Sequence, residues 1–286
     1  SLLYAKRYYG IEFSMFSFNE SDLGIDVLHT PQEHADFIKE FGAYLAELNL
    51  PTRMLLGDNS DATTFDFILP ALNNSETHKY IGAVSFHSWR GCDDVTLRKW
   101  ADAAKEINVP LLVGEGSTDA AAHGYAEIFN ESTFALYEIN LYTRICTICQ
   151  PLSILQWQLT SDYSLLWGDG IYGSKGPLRP TQRFWNIKQL ASTPADALAI
   201  SVSSSKKNVN CAAFGNMVRG EYAVHMVNNG ADCEAVISGI PAEVKKLKVY
   251  VTNTKDCMKE TAVKVENGLV RVHLPAISFI TLLSGE

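Results

Sequence analysis

Up to about Pro180 the chain repeats one rhythm: a short apolar run, a polar turn, then an amphipathic stretch of helix length. The apolar runs are residues 11–18 (IEFSMFSF), 53–56 (RMLL), 81–86 (IGAVSF), 110–113 (PLLV) and 153–159 (SILQWQL). Helices are predicted between them at residues 31–48, 65–72, 94–107 and 133–147. Thr30-Pro31-Gln32-Glu33 is a strong helix start, with a threonine cap, proline in the first turn and a glutamate placed to close a capping box. Residues 1–9 (SLLYAKRYY) read as the last turns of a helix rather than a natural beginning. Alternation of this kind predicts parallel strands joined by crossover helices.

The apolar runs share a second property. Each is followed by polar or aromatic side chains: Asn19-Glu20, Asp58-Asn59, His87-Ser88-Trp89, Glu115, and the stretch from Trp157 to Asp162. In parallel α/β folds the active site gathers at the carboxyl ends of the strands. Five strands loaded at that end predict one shared rim.

After about Pro194 the period changes to two. Short alternating runs at residues 197–202, 221–227, 233–237, 247–251, 269–274 and 278–283 are separated by turn signals such as Asn228-Asn229-Gly230 and Glu266-Asn267-Gly268. This predicts an antiparallel β-sandwich. The expected division is residues 1–190 for the α/β part and 191–286 for the sandwich.

Hydrophobic residues make up 47% of the 286, enough for packed cores and against wholesale disorder. The formal charge of −8 argues against a nucleic-acid binder, which needs a basic face. It leaves carbohydrate open, because neutral glycans are held by hydrogen bonds and stacking. No apolar run approaches the ~20 residues of a membrane helix, and no signal peptide opens the chain. Cys146 and Cys149 have C-x-x-C spacing but fall on a helix-like stretch with no second pair or nearby histidine to complete a zinc set. They read as core thiols. Cys211, Cys233 and Cys257 lie in the strand-rich tail, where the sequence leaves one disulfide open without fixing its partners.

Two glutamates carry the candidate chemistry. Glycoside hydrolysis needs two carboxyl groups flanking the scissile bond, about 5–5.5 Å apart for retention and about 6.5–9.5 Å for inversion. Glu20 ends the first run and Glu115 ends the fourth. Gly114 and Gly116 beside Glu115 are expected to leave room for a sugar ring. The bland reading of either glutamate alone is a solvated loop carboxylate; the pair, each at the end of a buried strand, is what points to catalysis.

FSMFSFNES resembles the fourth-strand Asn-Glu motif of glycoside hydrolase clan A, and LLVGEGS resembles that clan's seventh-strand nucleophile segment. Between them FHSW is similar to the sixth-strand His-x-Tyr, and ILQWQL to the eighth strand with its floor tryptophan. The element order, with strands after the barrel ending in LPAISFITL, is similar to family 30, although Ser21 stands where that family has proline and Trp89 where it has tyrosine. The resemblance implies a (β/α)₈ TIM barrel of which strands four to eight are present here, followed by a β-sandwich. It implies a retaining β-glycosidase acting on carbohydrate, with Glu20 as general acid/base, Glu115 as nucleophile, and no metal or organic cofactor. It also implies export to the periplasm or the outside. The first three strands are expected from an N-terminal segment or from another chain, because an open half-barrel exposes unpaired edges.

Five further residues are candidate substrate contacts. The resemblance assigns Asn19 to the sugar 2-hydroxyl; its bland reading is a strand-end cap. His87 is set to bond either the nucleophile or a sugar hydroxyl, unless it is a structural histidine. Trp157 and Trp89 offer aromatic faces for a sugar, against a reading as core. Asp58 either binds hydroxyls or, with Asn59, starts the following turn. The long loop 162–181 is expected to shape the cleft through Tyr163, Trp167 and Tyr172, while Trp100 and Trp185 read as packing residues. Two rivals remain: a catalytically inactive carbohydrate-binding barrel, and a metal-dependent barrel enzyme of the enolase kind, which wants acids on three successive strands.

Overall fold

The computed structural model describes residues 1–119 and 124–285. The chain divides into two compact units, Ser1–Asp119 with Pro151–Gln156, and Ala120–Gln150 with Trp157–Glu286.

The first unit is a five-stranded parallel sheet with its crossover helices. Helix α1 (Leu2–Tyr9) leads to β1 (Met15–Phe16), α2 (Pro31–Glu47) and β2 (Arg53–Asn59). A 3-10 segment (Ala62–Ile68) and two short helices, α3 (Leu69–Leu72) and α4 (Ser75–His78), lead to β3 (Ile81–Phe86). Then come α5 (Asp94–Glu106), β4 (Leu111–Gly116) and β5 (Ser153–Gln156). Spatial order follows chain order, β1-β2-β3-β4-β5, and the pairs between neighbours are parallel. This is a parallel half-barrel sheet.

The predicted helix start is realised in full. Thr30 accepts from the Glu33 amide at 3.2 Å, and the Glu33 carboxylate accepts from the Thr30 amide at 2.7 Å. Helix α2 buries His34, Ala35, Ile38, Gly42 and Leu45, a stripe at helical spacing. Gly42 is required there, because a β-carbon would stand 2.5 Å from Cβ of Tyr80. Asp93 caps α5 through the amides of Val95 and Thr96. Trp100 of α5 is fully buried and donates to the Ala62 carbonyl at 2.9 Å, so it is a packing residue as expected.

Strand β1 is much shorter than the apolar run that predicts it. Among the described residues it pairs only with β2, and Ile11 and Phe13 stand 51% and 46% exposed. At the far edge, among the described residues, β5 pairs only with β4, and Leu155 is 51% exposed. A strand laddered on one side has half the hydrogen bonds and packing that hold a central strand straight.

The second unit contains α6 (Ser132–Ile148), a small ribbon of β6 (Leu166–Trp167) and β7 (Arg179–Pro180), and α7 (Gln182–Leu190). Its strands β8 (Leu198–Ile200), β9 (Val209–Asn216), β10 (Glu221–Asn228), β15 (Ser278–Leu283), β12 (Lys246–Thr252) and β13 (Lys259–Lys264) form an antiparallel sheet in the order β13-β12-β15-β10-β9-β8. Strands β11 (Cys233–Ser238) and β14 (Leu269–Leu274) form a separate pair. One core joins the two: Met226, Leu247, Val249, Ile280 and Leu282 from the larger sheet meet Val270, Val272 and Leu274 from the smaller. The alternation in the sequence missed β9 and β13. Strand β9 packs against α6 on one face, and its small residues are buried on both sides, which erases the period of two. Strand β13 is an edge strand with lysines at both ends, the composition that blunts an open edge.

Two helices are tied to this unit by buried polar groups. Arg183 of α7 holds Glu138 of α6 through two bonds of 2.9 and 2.7 Å, and both side chains are almost wholly buried. Gln189 spans to the Phe279 carbonyl and to the Thr281 and Thr252 hydroxyls. No disulfide joins any of the six cysteines among the described residues. Cys146 and Cys149 are buried, and burial pushes the Cys146 thiol up to about 12, the behaviour of an inert core residue. No helix among the described residues is long and apolar enough to cross a membrane.

Candidate active site

The site lies at the carboxyl ends of the first four strands. Ser85 and His87, two residues apart at the end of β3, share a face by the strand's own period. The His87 ring is wholly buried and stands between three carboxylates. Its Nδ1 lies 3.1 Å from Glu20 Oε1 and 3.4 Å from Glu115 Oε2, and its Nε2 lies 3.4 Å from Asp58 Oδ1. The last contact is not aligned as a hydrogen bond, so its attraction is one of charge. One donor atom from each of Glu20, His87 and Glu115 can be chosen so that all lie within 4.8 Å of one another.

Each carboxylate is held by a different part of the sheet. Glu115 accepts from Trp89 Nε1 at 3.1 Å and from Asn19 Nδ2 at 3.3 Å. Asp58 accepts from the Ser85 hydroxyl at 2.8 Å. Glu20 hangs from the next strand, its amide donating to the Asp58 carbonyl at 3.1 Å. Both Glu20 and Asp58 have positive φ, 50° and 60°, a left-handed conformation that is uncommon for such residues and gathers at functional positions. Asp22 fastens the Glu20 turn from behind, accepting from the Ser60 amide and hydroxyl at 2.9 Å and from the Thr64 hydroxyl at 2.8 Å.

Burial opposes a charge on His87, but Asp58, Glu20 and Glu115 outweigh it and raise the ring to about 9. The imidazolium is therefore the neutral-pH form. Burial likewise works to raise Asp58, yet His87 and the hydroxyls of Ser17 and Ser85 hold it below the ordinary carboxylate value. For Glu115 burial wins and the carboxyl is raised; His87, Trp89 and Asn19 pull against it, and Glu20 adds to the rise. The Glu20 and Glu115 side chains are each 13% exposed, so both are largely desolvated and both still meet solvent. Nearby, His34 is driven down to about 4 by burial and accepts from the Gly57 amide as a neutral ring.

Six of the seven residues predicted from sequence thus meet: Asn19, Glu20, Asp58, His87, Trp89 and Glu115. Their arrangement differs in detail from the expectation. Asn19 and Trp89 reach the Glu115 carboxylate, and Asp58 stands behind His87, buried. Gly114 makes room for Asp58, since a β-carbon there would fall 2.1 Å from its Oδ1. The seventh, Trp157, belongs to the second unit; it is 37% exposed and joined to Gln158 by a cis peptide bond. Tyr163, Trp167 and Tyr172 of the long loop also belong there. Tyr163 and Tyr172 both pack on Phe129, and Tyr172 stacks with Trp167. Sequence reasoning missed Ser85 and Asp22. The signal for Ser85 was a second polar residue on the His87 face of an otherwise apolar strand; nothing in the sequence marked Asp22.

No family model and no curated protein matches the sequence. Solved structures do. A family 30 endoxylanase from Clostridium papyrosolvens aligns with 100% of this chain at a TM-score of 0.81 and 16% identity. A family 30 subfamily 8 xylanase from Clostridium acetobutylicum aligns with 96% at 0.78 and 16%. A family 51 α-L-arabinofuranosidase from Bifidobacterium longum aligns with 94% at 0.65 and 14%. The chain spans 68%, 66% and 66% of those three. The chain therefore shares its fold with these family 30 and family 51 glycoside hydrolases. More narrowly it is family 30-like, by the higher scores of the family 30 structures.

Proposed function

We propose that the protein is a retaining glycoside hydrolase that cleaves β-linked glycosides or polysaccharides by double displacement. The observation that carries this is the spacing of its two glutamates. An oxygen of Glu20 lies within 4.8 Å of one of Glu115, which supports the ~5–5.5 Å separation of a retaining pair over the ~6.5–9.5 Å that holds a water in an inverting one.

Glu20 acts as general acid, giving its proton to the glycosidic oxygen as Glu115 attacks the anomeric carbon. A covalent glycosyl-enzyme forms. Glu20, now a carboxylate, takes a proton from water, which displaces Glu115 and returns the configuration to its original hand. The Asn19 and Trp89 donors fix the Glu115 carboxylate for in-line attack. His87, as an imidazolium backed by Asp58, offsets the repulsion of two carboxylates brought this close. Asn19 is also assigned to the sugar 2-hydroxyl, and Trp89 to the sugar face.

The same reading takes residues 1–190 as strands four to eight of a (β/α)₈ barrel and 191–286 as a β-sandwich. The open edges at β1 and β5 support closure by three further strand–helix units, from an N-terminal segment or another chain. Export accompanies this reading; one structure sharing the fold is described as a conserved exported protein from Bacteroides fragilis. The test is product stereochemistry, followed by NMR, for the full-length protein acting on a panel of β-linked oligosaccharides that begins with xylan fragments. Retained configuration is expected. Inverted product removes the mechanism, and binding without turnover leaves an inactive carbohydrate-binding barrel.

A further inference from the structure

We propose that Glu20, His87 and Glu115 also form a binding site for a divalent transition-metal ion of the zinc class, taken up in competition with sugar. Binding itself rests on geometry alone; only the competition rests on the proposed reading of the site.

A tetrahedral zinc with bonds near 2.0–2.1 Å sets its ligand atoms about 3.3–3.4 Å apart. His87 Nδ1 already stands 3.1 Å from Glu20 Oε1 and 3.4 Å from Glu115 Oε2. Two of the three edges of a ligand triangle are thus built. The third, between the glutamate oxygens, is no longer than 4.8 Å, within reach of a small rotation of either side chain. Among the described residues no other set of three His, Cys, Asp or Glu side chains brings donors this close.

The surroundings are a second, independent observation. Metal-bound histidines characteristically give their other ring N–H to a carboxylate, which fixes the tautomer and turns the ligating nitrogen to the ion. Asp58 Oδ1 stands 3.4 Å behind His87 Nε2, a contact of charge rather than an aligned hydrogen bond, and is held in turn by Ser85, so a small turn of the ring toward the ion would complete that pairing. Asn19 and Trp89 brace the Glu115 carboxylate in the same supporting way. The two glutamates keep an exposed edge, so a fourth position stays open to water or a hydroxyl, as in three-ligand zinc sites. One imidazole and two carboxylates suit a borderline ion, whereas magnesium demands near-ideal octahedral oxygen coordination. On binding, the ion takes the place of the Nδ1 proton, which leaves to solvent.

The experiment is calorimetric titration of ZnCl2, with MgCl2 as control, into EDTA-stripped and desalted full-length protein in the absence of any glycoside. One zinc per chain should be lost in the Glu20→Gln/Glu115→Gln double variant, while magnesium gives no heat. Asp58→Asn should weaken binding by roughly 10–100-fold, the range of a supporting residue, and Glu115→Gln by more. Melting curves verify that each variant is folded. Bound Cu2+ should show hyperfine coupling to one imidazole nitrogen in its EPR spectrum, lost in His87→Gln. Equal zinc binding by wild type and the folded double variant, or none by wild type, overturns the site. Zinc should then raise the apparent KM for an aryl β-glycoside at unchanged kcat; a fall in kcat at unchanged KM overturns the competition. Protein that binds zinc as described but hydrolyses no glycoside retires the hydrolase reading and leaves the metal site, and the opposite result does the reverse.

Discussion

Gly114 and Asp58 occupy one another's space: a β-carbon on Gly114 would lie 2.1 Å from Asp58 Oδ1 and 3.0 Å from the Ser85 hydroxyl. Gly114→Ala must push aside a buried carboxylate that is bonded to Ser85 and set against His87. The expected cost is about 1–3 kcal/mol of stability, typical of an overpacked interior, together with reduced kcat as His87 loses its backing. Urea unfolding and steady-state kinetics on the same preparation measure the two effects.

Glu115→Ala should lower kcat by about 10⁴-fold or more, in the range found when a nucleophile is removed. Azide should restore turnover and give a glycosyl azide of inverted configuration, because it enters from the face the carboxylate left. Glu20→Ala should also respond to azide but with retained configuration, after a fall of about 10²–10⁴-fold on substrates with poor leaving groups. NMR of the azide products separates the two roles; identical stereochemistry from both variants removes the assignment.

His87 has a folded pKa of about 9 against an ordinary value of 6.5. A group raised on folding stabilises fully below its unfolded pKa, and the contribution drains away as pH climbs through the folded one. Stability supplied by His87 should therefore be intact below about pH 6.5 and lost through about pH 9. The melting-temperature gap between wild type and His87→Gln should narrow over that interval. A gap that is constant across it is the contrary result.

Trp89→Phe keeps the ring and deletes the N–H that reaches Glu115 at 3.1 Å. That donor holds the Glu115 pKa down against burial. Its loss should move the acid limb of the kcat/KM profile to higher pH and lower activity by roughly tenfold, as for a hydrogen bond to a charged group. A pH–rate comparison decides; an unmoved acid limb shows that Trp89 does not tune Glu115.

Arg183 and Glu138 share a buried two-bond contact. Arg183→Met takes the guanidinium from the buried Glu138 charge and should cost about 3–5 kcal/mol, whereas Arg183→Met with Glu138→Leu should recover part of it, because the Tyr163 and Ser164 carbonyls lose their Arg183 donor in both. Denaturant midpoints of the three proteins measure this, and equal losses in single and double variants contradict it.

The period of the apolar runs made five strands and their crossover helices legible, and the capping box placed the start of α2 to the residue. The candidate pair was legible too, because Glu20 and Glu115 follow apolar runs. What the sequence concealed was tertiary. Nothing local indicates that Asn19 and Trp89 turn toward Glu115, or that the missing side chain of Gly114 serves a carboxylate rather than a ring. Strand β9 was concealed by burial on both faces, and β13 by the charges of an edge. The run at residues 11–18 overstated β1, since apolar composition reports burial and not the number of neighbours to pair with.

The Glu20 amide holds the Asp58 carbonyl, and the Ser88 amide holds that of Glu115 at 3.0 Å. Main chain and side chains thus cross-link four strand ends into a single bonded plate. A plate responds to injury as a whole, so paired substitutions within it should fail to sum. If the proposed activity holds, retargeting this scaffold from one sugar to another has more freedom in the outlying turns than in these interlocked strand ends.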